Sequence, residues 1–347
     1  MIAPRCPHCG TIAFLEMQEC PSCGAGIGYH YPTLSFVPAD PDGTMVDGVR
    51  WVRCANWAWQ CNWMVAADEG SGRCFACRLI RRRPDSDDTI ALEKLADTSV
   101  DLRRLLVQLF ALRLPVVPYY EREGGLAFDL LSSRSGEAVV IGHADGVITI
   151  DLAETLDAHR EALRVRLGEP YRTMLGHFRH EVGHYYQQVL VADEPLLSEC
   201  RALFGDERAS YAEALDRHYR LGAPEDWAVS FISEYATMHP WEDFAETFAH
   251  YLHITGTLAT AAAAGVMLES DRVDGVIHHD VVPAADYSQL GLDRALSDWH
   301  WLSMMFNRVN RAMGQRDLYP FTLTQPVVDK LGFVHRLVVA AGSSAHD

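Results

Sequence analysis

Apolar positions change their spacing three times along the 347 residues. Up to about residue 80 they come as short aliphatic and aromatic clusters cut by Gly, Pro and Asp, which predicts turns and small hairpins. From 89 to about 114, Leu92, Leu95, Leu102, Leu105, Leu106, Leu109 and Leu112 repeat at helical spacing and Pro115 ends the run, so a helix is expected. Short β-rich runs follow at 126–131, 138–141 and 147–151, separated by glycines and the turn signal Asp145-Gly146; they predict a small, largely antiparallel sheet. Beyond Asp151 the spacing is helical over 153–167, 171–192, 207–220, 226–237, 240–253, 256–268, 290–313 and 326–341. The expected fold class is α+β: a module of turns at 1–84, a short connection, and a mainly helical domain at 89–347.

Composition narrows the partners. With 48% hydrophobic residues the chain can bury a real core, and its formal charge of −17 argues against nucleic acid, which needs a basic surface to displace counterions. The start, Met-Ile-Ala-Pro-Arg-Cys, lacks the features of a secretory signal, and the longest apolar run, 258–268, is too short for a bilayer. A cytoplasmic protein without a membrane partner is expected. In a reducing compartment, regularly spaced cysteines serve as metal ligands rather than disulfides.

Eight of the nine cysteines lie between residues 6 and 77, as Cys6-x2-Cys9, Cys20-x2-Cys23, Cys54-x6-Cys61 and Cys74-x2-Cys77. Random placement would give about 0.2 Cys-x2-Cys pairs, so the three present are a designed spacing. Two pairs supply the four thiolates of one tetrahedral zinc, and Pro and Gly in Cys6-Pro-His-Cys9-Gly and Cys20-Pro-Ser-Cys23-Gly favour the tight knuckle that aims both sulfurs at one ion. Two structural zincs are expected, in sequential or cross-braced order, replacing a core that so small a module cannot build. Trp51, Trp57, Trp59 and Trp63 suit packing around Cys54 and Cys61 better than a base-stacking platform. Arg81-Arg82-Arg83-Pro84 and the acidic run 85–88 read as a solvated hinge, with docking of the arginines on the acidic second domain as the alternative.

Different chemistry stands on the 171–192 helix, in His180-Glu181-Val182-Gly183-His184. Two histidines four apart project from one helical face and can hold one zinc, while the Glu between them reaches the attacking water as general base. The pattern arises by chance in only about 4% of chains of this composition. On a helical wheel His177, His180 and His184 fall together near Glu181, opposite Leu175, Phe178, Val182 and Tyr185. A third ligand is needed, and the segment 239–253 offers it. Pro240 suits a first helical turn, and Glu242, Glu246, His250 and His253 share a face opposite Trp241, Phe244, Phe248 and Tyr251. Geometry alone leaves Glu242 and Glu246 open as the third ligand.

His180-Glu181-x-x-His184 with a downstream Glu242-x-x-x-Glu246 helix resembles the gluzincin class of metallopeptidases, and Tyr235, seven residues before Glu242, is placed like the catalytic tyrosine of the anthrax lethal factor-like branch. The whole chain resembles the bacterial zinc-binding metallopeptidases that carry an N-terminal zinc ribbon. The matching stretches are Cys54 to Cys61 with Asn62-Trp63, Gly125-Leu-Ala-Phe-Asp129, the run from Glu169 to Tyr186, the Glu242 helix, Asn310-Arg-Ala-Met-Gly314 and Asp317-Leu-Tyr-Pro-Phe321. The resemblance implies a double zinc-ribbon-like module and a zincin-like domain, with His180, His184 and Glu242 on a catalytic zinc and Glu181 as base. It also implies that Glu246 orients a ligand histidine and that Tyr235 donates to the oxyanion. His177, His250 and His253 are expected around the ligands rather than on the metal.

The chain is therefore expected to be a zinc-dependent peptidase acting on peptide or protein substrates, with one catalytic and two structural zincs. A strand near 147–152, if it lies at a sheet edge, would offer an extended peptide a partner. The rival expectations are a zinc-stabilised scaffold that binds proteins without turnover and a nucleic-acid-binding regulator acting through the ribbons. Residues 1–90 carry a net −2 and the remainder −15, so a basic or neutral peptide is favoured as substrate.

Overall fold

The computed structural model describes residues 4–135, 139–155, 173–272 and 276–344; within them, the short N-terminal clusters form hairpins. The expected helix 153–167 from residue 156 onward, residues 171 and 172 of the next helix, and residue 138 of the strand expected at 138–141 lie outside the described residues. The chain divides into two compact units, Met1–His159 and Arg160–Asp347.

In the first unit, β1 (Ile27–His30) pairs antiparallel with β2 (Ser35–Pro38), and β3 (Thr44–Val46), β4 (Val49–Arg53) and β5 (Met64–Ala66) form an antiparallel meander. A short helix, α1 (Phe75–Leu79), leads into β6 (Ile80–Arg82), and the expected long helix follows as α2 (Thr89–Ala111), capped by Asp88, whose side chain accepts from the Ala91 amide. Then come β7 (Ala127–Leu131), β8 (Gly142–Ala144) and β9 (Val147–Asp151). Aromatic rings join ribbon to helix: Tyr31 stacks on the buried Trp63 at 5.9 Å, and Phe110 of α2 lies 5.6 Å from Tyr31 and 5.5 Å from Phe75. Trp63 is therefore core, as packing predicted, whereas Trp59 stays 55% exposed.

Three details differ from expectation. The arginine run is no solvated hinge: Ile80–Arg82 is a strand, and Arg81 makes a bidentate pair with the buried Asp129 of β7, at 2.9 and 2.6 Å. A charged segment reads as linker until its carboxylate partner, far along the chain, is known. The second detail concerns the sheet, whose order is β6-β7-β9-β8: β6 and β9 each run parallel to β7, and only β8 is antiparallel to β9. Antiparallel pairing prevails in the ribbon sheets, while this one is mixed. Third, β9 is paired on both sides, so residues 147–151 offer no free edge to a peptide. The Asp145-Gly146 signal does form the β8–β9 turn, with φ of 48° and 81°, as a two-residue turn with both central residues left-handed requires.

The second unit is helical: α3 (Met174–Leu190), α4 (Glu194–Phe204), α5 (Tyr211–Leu221), α6 (Pro240–Ala263), α7 (Leu292–Ala312) and α8 (Gln325–Ser344). Its hub is α6, against which α3, α4, α7 and α8 all pack. Tyr186 of α3 stacks on Phe248 of α6 at 5.3 Å, Phe178 and Val182 of α3 and Phe244 and Leu252 of α6 are fully buried as well, and each such side chain contributes about 1.5–3 kcal/mol by leaving water. At the crossing stands Gly183, where a Cβ would come within 2.8 Å of the Ala245 Cα, so only glycine permits this approach.

Periodicity misjudged three places here. Residues 240–253 and 256–268 are one helix ending at Ala263, because Leu252, Ile254 and Leu258, all buried, outweigh the cost of about 1 kcal/mol for Gly256 inside a helix. Residues 226–237 form two 3-10 turns, Trp227–Val229 and Tyr235–Thr237, rather than a helix. There the Ser233 hydroxyl takes the Ala236 amide at 3.1 Å, in competition with the helical ladder. The 11-residue α4, capped by Asp193 with Pro195 in its first turn, was not expected.

Candidate metal centres

The knuckles are set by backbone. Gly10 and Gly24, with φ of 74° and 70°, return their amides to the Cys6 and Cys20 carbonyls at 3.0 and 2.9 Å. This gathers Cys6, Cys9, Cys20 and Cys23 into one group and Cys54, Cys61, Cys74 and Cys77 into a second. Sulfurs lie 3.8 Å apart for Cys6–Cys23, 3.6 Å for Cys9–Cys20, and 3.6 Å for both Cys61–Cys74 and Cys61–Cys77. Four sulfurs at about 2.3 Å from a tetrahedral zinc have edges of about 3.8 Å, so both quartets fit the ion. Sequential rather than cross-braced grouping follows from the quartets themselves. Cys200 stands apart, buried, with its thiol pushed up to about 12 by that burial.

The third group is made by two helices. The Thr173 hydroxyl accepts from the Gly176 amide to start α3, and the His239 side chain accepts from the Trp241 amide to start α6. Across the Gly183–Ala245 approach, Oε2 of Glu242 lies 3.0 Å from Nε2 of His180 and 3.4 Å from Nε2 of His184. Glu242 is 3% exposed and its Oε2 has no hydrogen-bond partner, which is how a ligand oxygen aimed at a cation presents itself. On the opposite side of the His180 ring, Nδ1 donates to Oε1 of Glu246 at 2.7 Å, leaving the Nε2 lone pair for a metal. The other Glu246 oxygen accepts from Ser233 at 2.7 Å. Glu242, not Glu246, thus joins the two histidines.

Glu181 lies 5% exposed, with His177 donating to its Oε1 at 3.2 Å and Oε2 without a hydrogen-bond partner. Burial would raise its carboxyl, but the His177 hydrogen bond and the charges of His177, His180 and His184 prevail and bring it down to about 2. Burial likewise opposes charge on Glu242, yet the facing His184 and His180 hold it well below the usual carboxylate range. Glu242 and Glu246 meet the two ring nitrogens of His180, and the buried Glu181, held by His177, adds a third carboxylate; so much buried negative charge calls for a cation.

The remaining sequence-expected residues separate. Tyr235 sits on its 3-10 turn with its ring 5.8 Å from that of His180, and burial, reinforced by Glu242, Tyr211 and Glu181, keeps its phenol protonated well above the ordinary range. His250 and His253 are bonded to residues outside the His180, His184 and Glu242 group. The former pairs with the Tyr319 hydroxyl at 2.8 Å and is brought down to about 4 by burial, and the latter accepts from Arg179 at 2.5 Å. Sequence reasoning missed Tyr211, which donates to Oε1 of Glu242 at 2.9 Å, and also Ser233 and Trp241, whose ring lies 5.7 Å from that of His184. It also missed Lys330, buried and bonded to Asp243 at 2.6 Å, one residue from the ligand. No linear spacing links these residues to the motif; only Ser210, a capping residue before Tyr211, hinted at where α5 begins.

Comparison with known proteins agrees with the geometry. Residues 91–337 match the family described as "Putative zinc-binding metallo-peptidase", and residues 4–88 match a zinc-ribbon domain. Uncharacterized proteins of Mycobacterium tuberculosis and Mycobacterium bovis are 45% identical over 337 residues, covering 96% of this chain and 94% of theirs. No solved structure matches.

Proposed function

The chain belongs to the zinc-binding metallopeptidase family, preceded by a zinc ribbon, and from that premise we propose that it hydrolyses peptide bonds at the His180, His184 and Glu242 centre. The observation that carries this is the convergence of two histidine Nε2 atoms on one otherwise unbonded carboxylate oxygen, 3.0 and 3.4 Å away. A zinc bound there would supply a Lewis acid for the scissile carbonyl and lower the pKa of the attacking water. Glu181, ionised and held by His177, takes the proton and delivers it to the leaving amine. Tyr235, protonated and beside His180, donates to the developing oxyanion. The gluzincin and lethal factor-like assignment rests on the His, His, Glu donor set and on this tyrosine.

One catalytic and two structural zincs are proposed, with 1–84 and 89–347 as the domains; the family matches at 4–88 and 91–337 support that division. The charge of −15 beyond residue 90 favours basic or neutral peptides over nucleic acid. Among the described residues no helix is long and apolar enough to cross a membrane, and cysteines arranged as thiolate quartets suit a cytoplasmic setting. Proteolysis profiling of wild type against Glu181→Gln tests the assignment. The variant should keep its fold and zinc but lose about 10²- to 10⁴-fold in peptide cleavage. Equal cleavage by both proteins would defeat the role given to Glu181, and no cleavage by wild type would leave the non-catalytic scaffold as the better description.

A further inference from the structure

We infer that Tyr211 is a positioning residue of the metal centre: its hydroxyl holds one oxygen of Glu242 so that the other is the one offered to the ion. The inference rests on the reading of His180, His184 and Glu242 as a zinc site. A carboxylate can give a cation either oxygen or both. Here Oε1 accepts from the Tyr211 hydroxyl at 2.9 Å, and Oε2 alone faces the two histidine Nε2 atoms. A ligand oriented by a hydrogen bond to its outer atom is the usual way a surrounding shell tunes a metal site.

Tyr211 reaches this place through polar contacts rather than burial. It opens α5, a helix in which only Ala214 is buried, and it is itself 41% exposed. The His239 imidazole anchors it: Nε2 donates to the Ala209 carbonyl at 3.0 Å while Nδ1 accepts the Trp241 amide at 3.1 Å. One side chain thus caps the Glu242 helix and ties down the residues just before Tyr211, whose ring packs 5.4 Å from that of His239. Further along α5, Arg217 bonds the Met238 carbonyl at 3.3 Å and His218 meets the Tyr235 ring at 6.3 Å. So weakly buried a helix, held by contacts that lead to the metal ligand, gains little stability from Tyr211 beyond what the hydroxyl does for Glu242.

Tyr211→Phe in the full chain tests this, because it keeps the ring against His239 and removes only the donor. Zinc affinity of the third site is read by competition with a chromophoric chelator, with the ribbon zincs counted in the same samples. The visible spectrum of the chain with cobalt(II) in the third site reports the ligand arrangement. The expected result is affinity weaker by about 10- to 100-fold, an altered cobalt spectrum and two ribbon zincs retained. Ser210→Ala, which loosens the helix start but keeps the hydroxyl, should leave affinity and spectrum near wild type. Unchanged affinity and spectrum in Tyr211→Phe would overturn the inference, and so would lost turnover with both unchanged, which would put the hydroxyl's role at Tyr235, its other partner, or at substrate. A wild-type chain holding only the two ribbon zincs would instead overturn the metal-centre reading beneath it.

Discussion

The cysteine quartets and the histidine–glutamate centre solve the same problem, holding a cation, at opposite ranges of sequence. Each quartet closes within one stretch, 6–23 or 54–77, where turns do the positioning and all four donors come from the protein. The third centre brings His180 and His184 to Glu242 of another helix, with three protein donors among the described residues. Four thiolates saturate a tetrahedral ion and leave it only a structural task; three donors leave a position for chemistry. The surroundings differ in the same sense. Around the quartets the partners are mainly backbone amides, such as those of His8 and Asn56, which approach Cys6 and Cys54 sulfurs at 3.4 and 3.5 Å, with the Thr11 hydroxyl 3.4 Å from the Cys9 sulfur. Around the third centre are Glu181, Tyr235 and His177, groups that carry or hold protons.

The sharpest way to break this contrast is to remove one thiolate. Structural zinc supplies roughly 10 kcal/mol or more of folding free energy in small zinc modules at neutral pH. In Cys61→Ser, whose sulfur sits buried among Cys54, Cys74 and Cys77, the second quartet should lose its zinc and residues 49–79 their order. Zinc counting with limited proteolysis checks this, and the histidine centre should keep its ion. A Ser variant with full zinc content and unchanged protease resistance would show that this quartet is not structural.

A smaller effect is expected where the third centre depends on helix separation. Gly183→Ala puts a methyl within 2.8 Å of the Ala245 backbone, and backbone cannot swing aside as a flexible side chain can. Overpacking of this kind costs about 1–3 kcal/mol, read as a lowered denaturation midpoint. Because the same crossing sets the distance from His180 and His184 to Glu242, zinc affinity should fall with stability. Equal zinc affinity in the variant would mean that the ligands do not depend on this close approach.

What could be read from sequence follows the same division. Cysteine spacing specified both quartets because knuckle geometry is local, and the His180-Glu181-x-x-His184 spacing specified two ligands because helical pitch is local too. Glu242 needed the shared polar face of its helix and then a family resemblance to be preferred over Glu246; the structure separates them by which nitrogen of His180 each one meets. Tyr211, Ser233 and Lys330 stayed invisible because their partners lie 31, 13 and 87 positions away, without periodicity to announce them. The 3-10 turns at 227–237 read as helix from sequence because apolar spacing records which residues are buried, not whether a hydroxyl such as that of Ser233 diverts the ladder.

Ser233 gives the smallest predicted effect and the finest test of how the two kinds of centre differ. Its hydroxyl donates to Oε2 of Glu246, whose Oε1 accepts the Nδ1 proton of His180, so it acts on the metal ligand only through two hydrogen bonds in series. Ser233→Ala leaves Glu246 short of one donor in a buried setting. The carboxylate should then take the Nδ1 proton more strongly or rotate away, and either response changes His180 as a ligand. Zinc affinity should shift by about tenfold, the low end for a residue that orients a ligand from outside, and stability should fall by about 0.5–1.5 kcal/mol because the Ala236 amide loses its acceptor as well. Among the described residues no comparable relay leads to a quartet sulfur, and zinc release from the quartets should be the same in variant and wild type. If affinity at the third centre is also unchanged, Glu246 holds His180 without help, and the chain of hydrogen bonds ends one residue earlier than the structure suggests.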